Sequence, residues 1–283
     1  MIRRIGGLGE IAGDYDGFIV DLWGVVHDGV RPYEAALDAL RQLTGRPLLL
    51  LSNAPRRSAS AQNMLRRMGV DGALYTAILT SGEATWLALR DRDDPWFAQL
   101  GTRVYHLGPQ RDRNVLDGLG LDIVSSPAEA SFVLNTGPDD DMHDPGTLET
   151  FVPELAACLA AQLPMICANP DLVVMRDGLR ILCAGSLAQY YRAHGGDVVS
   201  VGKPDRAIYQ MALAQMGVEP GRVLAIGDSL STDIAGATGA GIDSLWVLGG
   251  IHEQALAGDD TRASAEAALL GLAPVAMLDL LVW

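Results

Sequence analysis

DYDGFIVDLWGVVHDG, residues 14–29, carries the apolar run Phe18-Ile19-Val20, then Asp21, a second apolar stretch, and the turn-forming His27-Asp28-Gly29. An unbroken apolar run bounded by turn formers reads as a buried strand, and this one leaves its sheet at Asp21. Working outward, YEAALDALRQL at 33–43 has apolar residues at helical spacing, and RPLLLLSNAP at 46–55 is a second buried strand with Pro55 as its breaker. The alternation continues. Strand-like segments begin near residues 102, 130, 164, 197, 222 and 243. Helix-like segments lie between them, including RNVLDGLGL at 113–121 and DRAIYQMALAQMGV at 205–218. The tail PVAMLDLLVW, 274–283, reads as a helix or strand packed on the core. Strand–helix alternation predicts parallel sheets with helices on both faces, an α/β fold. There are too many units for one compact sheet, so two α/β domains are expected.

Composition sets the bounds. The chain has 283 residues, 49% hydrophobic and 20% charged, with a formal net charge of -14. That is globular composition. No basic run offers a footprint for a phosphate backbone, so nucleic acid is not an expected partner. No apolar run approaches a membrane span, and the N-terminus lacks the apolar core of a signal peptide, so a cytoplasmic protein with no membrane partner is expected. Cys158, Cys167 and Cys183 form no CxxC pair and read as buried small hydrophobes. Of the 21 basic residues, 20 are arginine and one is Lys203. A chain that uses arginine everywhere else and lysine here points to a need for a compact ammonium at position 203.

In doubly wound sheets functional groups sit just beyond the carboxyl ends of strands. Four such ends carry polar groups: Asp21, Ser52-Asn53, Lys203 and Asp228-Ser229. Each alone reads as a cap or a turn; the four together, in order, do not. A carboxylate can attack phosphorus and split one hard step into two. The approach of two anions requires neutralisation, which a divalent ion on aspartates, a lysine and a hydroxyl would share.

These segments resemble a known family. DLWGVVHDG, LLLLSNA, VGKP and AIGDSLSTDIAGATGAG resemble, in that order, the four motifs of the haloacid dehalogenase superfamily. CANPD at 167–171 resembles a cap segment of its class IIA, the NagD-like and p-nitrophenylphosphatase-like branch with C2-type caps, and the DxWGV first motif resembles a variant subgroup carrying a sugar-phosphatase label. The resemblance implies a Rossmann-like doubly wound parallel-sheet core at 1–80 and 199–283, with an inserted α/β C2-type cap at 81–198 and hinges near 80–83 and 195–200. It implies a magnesium-dependent hydrolase acting on a small phosphorylated metabolite, such as a sugar phosphate, through an aspartyl-phosphate. Asp21 would be the nucleophile. The Mg2+ ligands would be Asp21, the Trp23 backbone carbonyl and Asp228, with Asp233 behind them. Ser52, the Asn53 amide and Lys203 would hold phosphate.

One position departs from the pattern. Phosphatases of this superfamily carry an aspartate two residues after the nucleophile, where this chain has Trp23, which has no titratable proton. General acid–base help is worth about 10²–10⁴-fold. His27 and Asp28 could substitute or could simply anchor a turn; Asp171 could face the site from the cap or cap a turn. The alternative function is a phosphometabolite-binding or regulatory protein of the same fold with little turnover. A dehalogenase proper would not need the GDSLSTD arrangement, and a phosphonatase would need a second lysine. The acidic stretch PDDDMHD, 138–144, fits no ligand spacing and reads as a solvated loop. His106, His194 and His252 belong to no constellation, and GATGAG reads as close helix packing. The oligomeric state stays open, a homodimer included.

Overall fold

In a computed structural model of the chain, the described residues are 1–138, 147–176, 179–249 and 259–283. The acidic stretch, apart from Pro138, and His252 lie outside them. The strands in chain order are β1 (Gly17–Asp21), β2 (Leu48–Ser52), β3 (Ala77–Thr80), β4 (Arg103–Leu107), β5 (Asp122–Val124), β6 (Phe132–Asn135), β7 (Met165–Cys167), β8 (Val173–Arg176), β9 (Leu179–Leu182), β10 (Val198–Ser200), β11 (Val223–Gly227), β12 (Asp243–Val247) and β13 (Ala276–Leu278). The chain divides into two compact units. One comprises residues 1–52, 62–79 and 203–283; the other comprises 53–61 and 80–202.

The first unit is built on a parallel sheet ordered β13-β12-β11-β1-β2-β3. Every residue of β1, β2 and β11 is buried. That is why FIV, LLLL and VLAI read as continuous apolar runs: helices cover both faces of a parallel sheet, so no alternation survives. Phe18, Val20, Leu48, Leu50, Leu224 and Ile226 pack with Leu37 and Leu40 of helix Glu34–Gln42 and with Leu8 and Ile11 of the N-terminal segment. On the other side, Trp246 and Met277 pack with Ile234 and with Ala263 and Ala267 of helix Asp260–Leu269. Fully burying side chains of this size is worth about 1.5–3 kcal/mol each. The strand order reverses beside β1, which pairs with β2 on one edge and with β11 on the other. That is the topological switch point at which such sheets place their ligands.

The second unit has its own parallel sheet, β10-β7-β6-β4-β5, and an antiparallel pair, β8 and β9. Helices Leu148–Ala160 and Ala184–Ala193 supply Leu155, Cys158, Leu187 and Tyr191 to one core, while Leu89, Phe97, Val104 and Ile166 form another. All three cysteines are buried thiols. Burial pushes the Cys158 and Cys167 thiols up to about 12, so they stay protonated at neutral pH.

One expectation needs correction. RNVLDGLGL does not form an α-helix. A 3-10 helix, Gln110–Leu116, occupies its start, and Gly118 and Gly120, at φ 74° and 64°, hold left-handed conformations that end it. The tail contributes a strand, β13, in parallel register with β12. Among the described residues no helix is long and apolar enough to cross a membrane.

Candidate active site

Asp21 is the last residue of β1 and pairs in register with Leu51 of β2; Asp228 follows β11 directly. Both therefore emerge at the switch point. Lys203 reaches the same place from the loop ahead of helix Arg206–Met216. Its Nζ donates to Asp21 Oδ1 at 2.6 Å and to Asp233 Oδ1 at 2.7 Å, and lies 3.4 Å from the Leu51 carbonyl. The lysine and both partner carboxylates are buried, Lys203 to 3% exposure. Ion pairs this deep cost several kcal/mol of desolvation per ion, so they persist only with good geometry.

Asp233 gets there through a π-helical turn, Leu230–Ile234, that follows β11. Both the Asp233 and Ile234 amides donate to the Ser229 carbonyl, and the Ser229 amide donates to Asp233 Oδ2 at 3.1 Å. π-turns of this kind gather at functional sites because they re-aim a side chain out of the α-helical register. Gly227 makes room for the turn: a Cβ there would lie 2.2 Å from Asp233 Cβ. Two buried rings hold the frame. Trp246 Nε1 donates to the Asp228 carbonyl at 2.9 Å, and the Tyr209 hydroxyl donates to the Asp233 carbonyl at 3.0 Å.

Asp21, Asp228 and Asp233 each offer an oxygen within 4.8 Å of the others. Three carboxylates against one ammonium leave about two negative charges in a buried cluster. The strain is visible at Asp21: burial, then the Asp233 charge, raise its pKa well above the carboxylate range against the opposing pull of Lys203, and Asp228 adds to the rise. The donor set is hard oxygen with a charge deficit of two, which fits a divalent cation such as magnesium or calcium rather than a soft metal. Asp233 is more than a bystander here, since one of its oxygens is spent on Lys203.

Ser52, 8% exposed, ends β2 next to β1. Trp23 sits in the turn after β1, where the Gly24 amide donates to the His27 carbonyl at 2.9 Å. The Trp23 ring meets the His27 ring edge-on at 5.5 Å, and Gly29, at φ 90°, lies against the indole, where a Cβ would come within 2.4 Å of it. His27 is 1% exposed, and burial lowers its pKa to about 4. Its Nδ1 accepts from the Gly29 amide at 2.9 Å, so the ring is neutral with its proton on Nε2. Asp28 Oδ1 accepts from the Val30 and Arg31 amides at 2.8 and 2.7 Å, a turn anchor.

Asn53 and Asp171 belong to the second unit and meet there. Asn53 Nδ2 donates to Asp171 Oδ1 at 2.8 Å. Also in that unit, His106 bonds Thr136 Oγ1 at 2.9 Å, while His194 stacks on Tyr190 at 4.0 Å.

Sequence reading placed Gly227 at the strand end with Asp228 and Ser229 but missed Tyr209 and Trp246, whose ring donors meet backbone carbonyls rather than charge.

The chain matches the haloacid dehalogenase-like hydrolase profile over residues 18–122 and the HAD-hydrolase-like profile over 200–269. A haloacid dehalogenase-like family hydrolase of known structure from Brucella suis 1330 is 33% identical, superposes with a TM-score of 0.84, and is covered over 100% of both chains. The 5'-nucleotidase YutF of Bacillus subtilis is 25% identical over 260 residues, 89% of this chain and 94% of that protein. A glycerol phosphate phosphatase from Mycobacterium tuberculosis, solved in complex with calcium, is 27% identical with a TM-score of 0.64, over 85% of this chain and 68% of its own. Motif order, switch-point geometry and these matches agree, and the chain belongs to the haloacid dehalogenase-like family of hydrolases.

Proposed function

We propose that the protein hydrolyses a small phosphomonoester, a sugar phosphate or similar metabolite, through an aspartyl-phosphate on Asp21. The observation that carries this reading is Lys203 wedged between Asp21 and Asp233, with Asp228 completing the carboxylate cluster at the switch point. Phosphatases among the relatives support it: a 5'-nucleotidase, a D-glycerol 3-phosphate phosphatase and an acid sugar phosphatase. A magnesium ion held by Asp21, Asp228 and the Trp23 carbonyl would supply Lewis-acid neutralisation of the phosphoryl oxygens.

The chain's own groups do the rest. Lys203 aims Asp21, opposes the burial that disfavours its ionised form, and draws the incoming phosphate toward it. Ser52 Oγ and the Asn53 amide donate to the remaining phosphoryl oxygens. Asp233 fixes the ammonium. The Asp21 carboxylate attacks phosphorus and expels the alkoxide, which takes its proton from water, and a water then cleaves the acyl-phosphate to release phosphate and restore the carboxylate.

Trp23 favours a second reading, a binding protein with slow turnover. His27 is neutral and enclosed, Asp28 is bonded to two amides and Asp171 is bonded to Asn53, so each candidate replacement for the missing acid has other work. The test is phosphate release from a panel of phosphorylated metabolites with magnesium. Asp21→Asn, nearly isosteric, is expected to lower kcat by at least about 10³-fold with the fold intact, as loss of a nucleophile does. Turnover near wild type in that variant would remove Asp21 as the nucleophile.

A further inference from the structure

The chain passes between its two units at 52/53, 61/62, 79/80 and 202/203. Three of these passages end, on the side of the second unit, in one polar cluster. Asn53 is the first residue after the passage at 52/53, Ser81 lies one residue past the passage at 79/80, and Gly202 is the last residue before Lys203. Ser81 Oγ donates to Asn53 Oδ1 at 3.1 Å, and Asn53 Nδ2 donates to Asp171 Oδ1 at 2.8 Å. Asn53 and Ser81 are buried. A carboxylate can only accept, so the Asn53 amide must turn its NH₂ to Asp171, which leaves its oxygen for the Ser81 hydroxyl. Both ends of the Asn53 side chain are thereby fixed.

Asp171 is itself pinned. Its amide donates to Asn169 Oδ1 at 3.1 Å, its carbonyl accepts from the Gly185 amide at 3.1 Å, and a Cβ on Gly185 would lie 2.2 Å from the Pro170 carbonyl oxygen. Gly202 closes the cluster. A Cβ there would lie 2.1 Å from Ser81 Oγ and 2.6 Å from Asn53 Oδ1.

We infer that Asp171 is a positioning residue: through Asn53 it sets the orientation of the 52–53 peptide, whose N–H would donate to the substrate phosphate. This rests on the phosphatase reading for the destination of that N–H, and it replaces an acid–base role for Asp171. A charge-assisted bond to the Asn53 side chain is stronger than a neutral one, and it anchors the residue whose backbone must not rotate.

The experiment is a double-mutant cycle read in two ways: the Kd of orthophosphate by titration calorimetry in magnesium, and kcat on p-nitrophenyl phosphate and an alkyl phosphate. Asp171→Ala and Asn53→Ala are each expected to weaken phosphate binding on the order of tenfold, the loss of one hydrogen bond to a charged group. The double variant is expected to lose no more than either single one. Asp171→Asn keeps an acceptor oxygen and is expected to stay within about threefold of wild type in both readouts, which also guards against misfolding of the alanine variant. Additive losses, or Asp171→Ala binding phosphate as wild type does, overturn the inference. So does a selective collapse of alkyl-phosphate kcat in Asp171→Asn, which makes Asp171 the acid. Wild-type protein that binds orthophosphate but hydrolyses nothing overturns the phosphatase reading alone.

Discussion

At the scale of single residues, Lys203 and Trp23 define the site between them. Lys203 has its three donors directed at Asp21, Asp233 and the Leu51 carbonyl in a space that excludes solvent. A planar guanidinium cannot reproduce that arrangement, and its extra volume must displace buried neighbours. Lys203→Arg is therefore expected to lower kcat well beyond tenfold although charge is conserved, and a neutral result would show that only charge matters. Trp23 makes the opposite point, a group absent rather than present. With no proton donor at that position, kcat should fall steeply as leaving-group pKa rises across an aryl and alkyl phosphate series, provided chemistry limits the rate. Trp23→Asp is expected to flatten that dependence; an unchanged slope would mean that another group already acts as the acid. Asp21, Ser52 and Asp228 stood out in the sequence because each lies at or directly after the end of a buried apolar run, and Lys203 because it is the one lysine in an arginine-rich chain. The link from Asn53 to Asp171 was not, since it joins residues 118 positions apart through a neutral amide that no spacing rule singles out.

At the scale of elements, the decisive feature is the junction of β11 with the π-turn. An α-helix starting at Ser229 would aim residue 233 differently; the wider turn lets the Asp233 carboxylate bond both its own turn and the lysine. Gly227→Ala has 2.2 Å where a methyl needs more than 3 Å, so Asp233 must move and Lys203 loses a partner. We expect kcat to fall at least tenfold, with the crystal structure of the variant showing Asp233 displaced; unchanged Lys203–Asp233 geometry would refute the coupling. The apolar strands were readable at this scale because the parallel sheet is buried on both faces. β3 and β5 were missed: β3 runs straight into helix Ser81–Asp91, and β5 is a three-residue edge with Asp122 and Ile123 exposed. The antiparallel pairing of β8 with β9 was missed too, although two short apolar runs flanking an Asp-Gly pair are its ordinary sequence signal. RNVLDGLGL misled because its apolar spacing is helical while its two glycines favour termination.

At the scale of the whole molecule, stability should carry the mark of buried neutral histidines. His106 sits in the second unit at 8% exposure, where burial, assisted by the Arg113 charge, lowers its pKa to about 4. The unfolded chain takes up that proton near pH 6.5 and the folded chain does not. Stability is thus full above about pH 6.5 and is lost as pH falls toward 4, by up to about 3 kcal/mol. His106→Gln should flatten the fall in Tm between pH 6.5 and 4.5 at fixed magnesium; parallel curves for the two proteins would contradict the assignment. Lys203 has one more consequence, for handling the protein at the bench. With 20 arginines and one enclosed lysine, the folded surface presents no side-chain amine to acylating reagents or aldehyde fixatives. Conventional amine labelling or crosslinking will therefore leave the folded body almost untouched, and acylation of Lys203 detected by mass spectrometry becomes a single-site clock for excursions that expose the site.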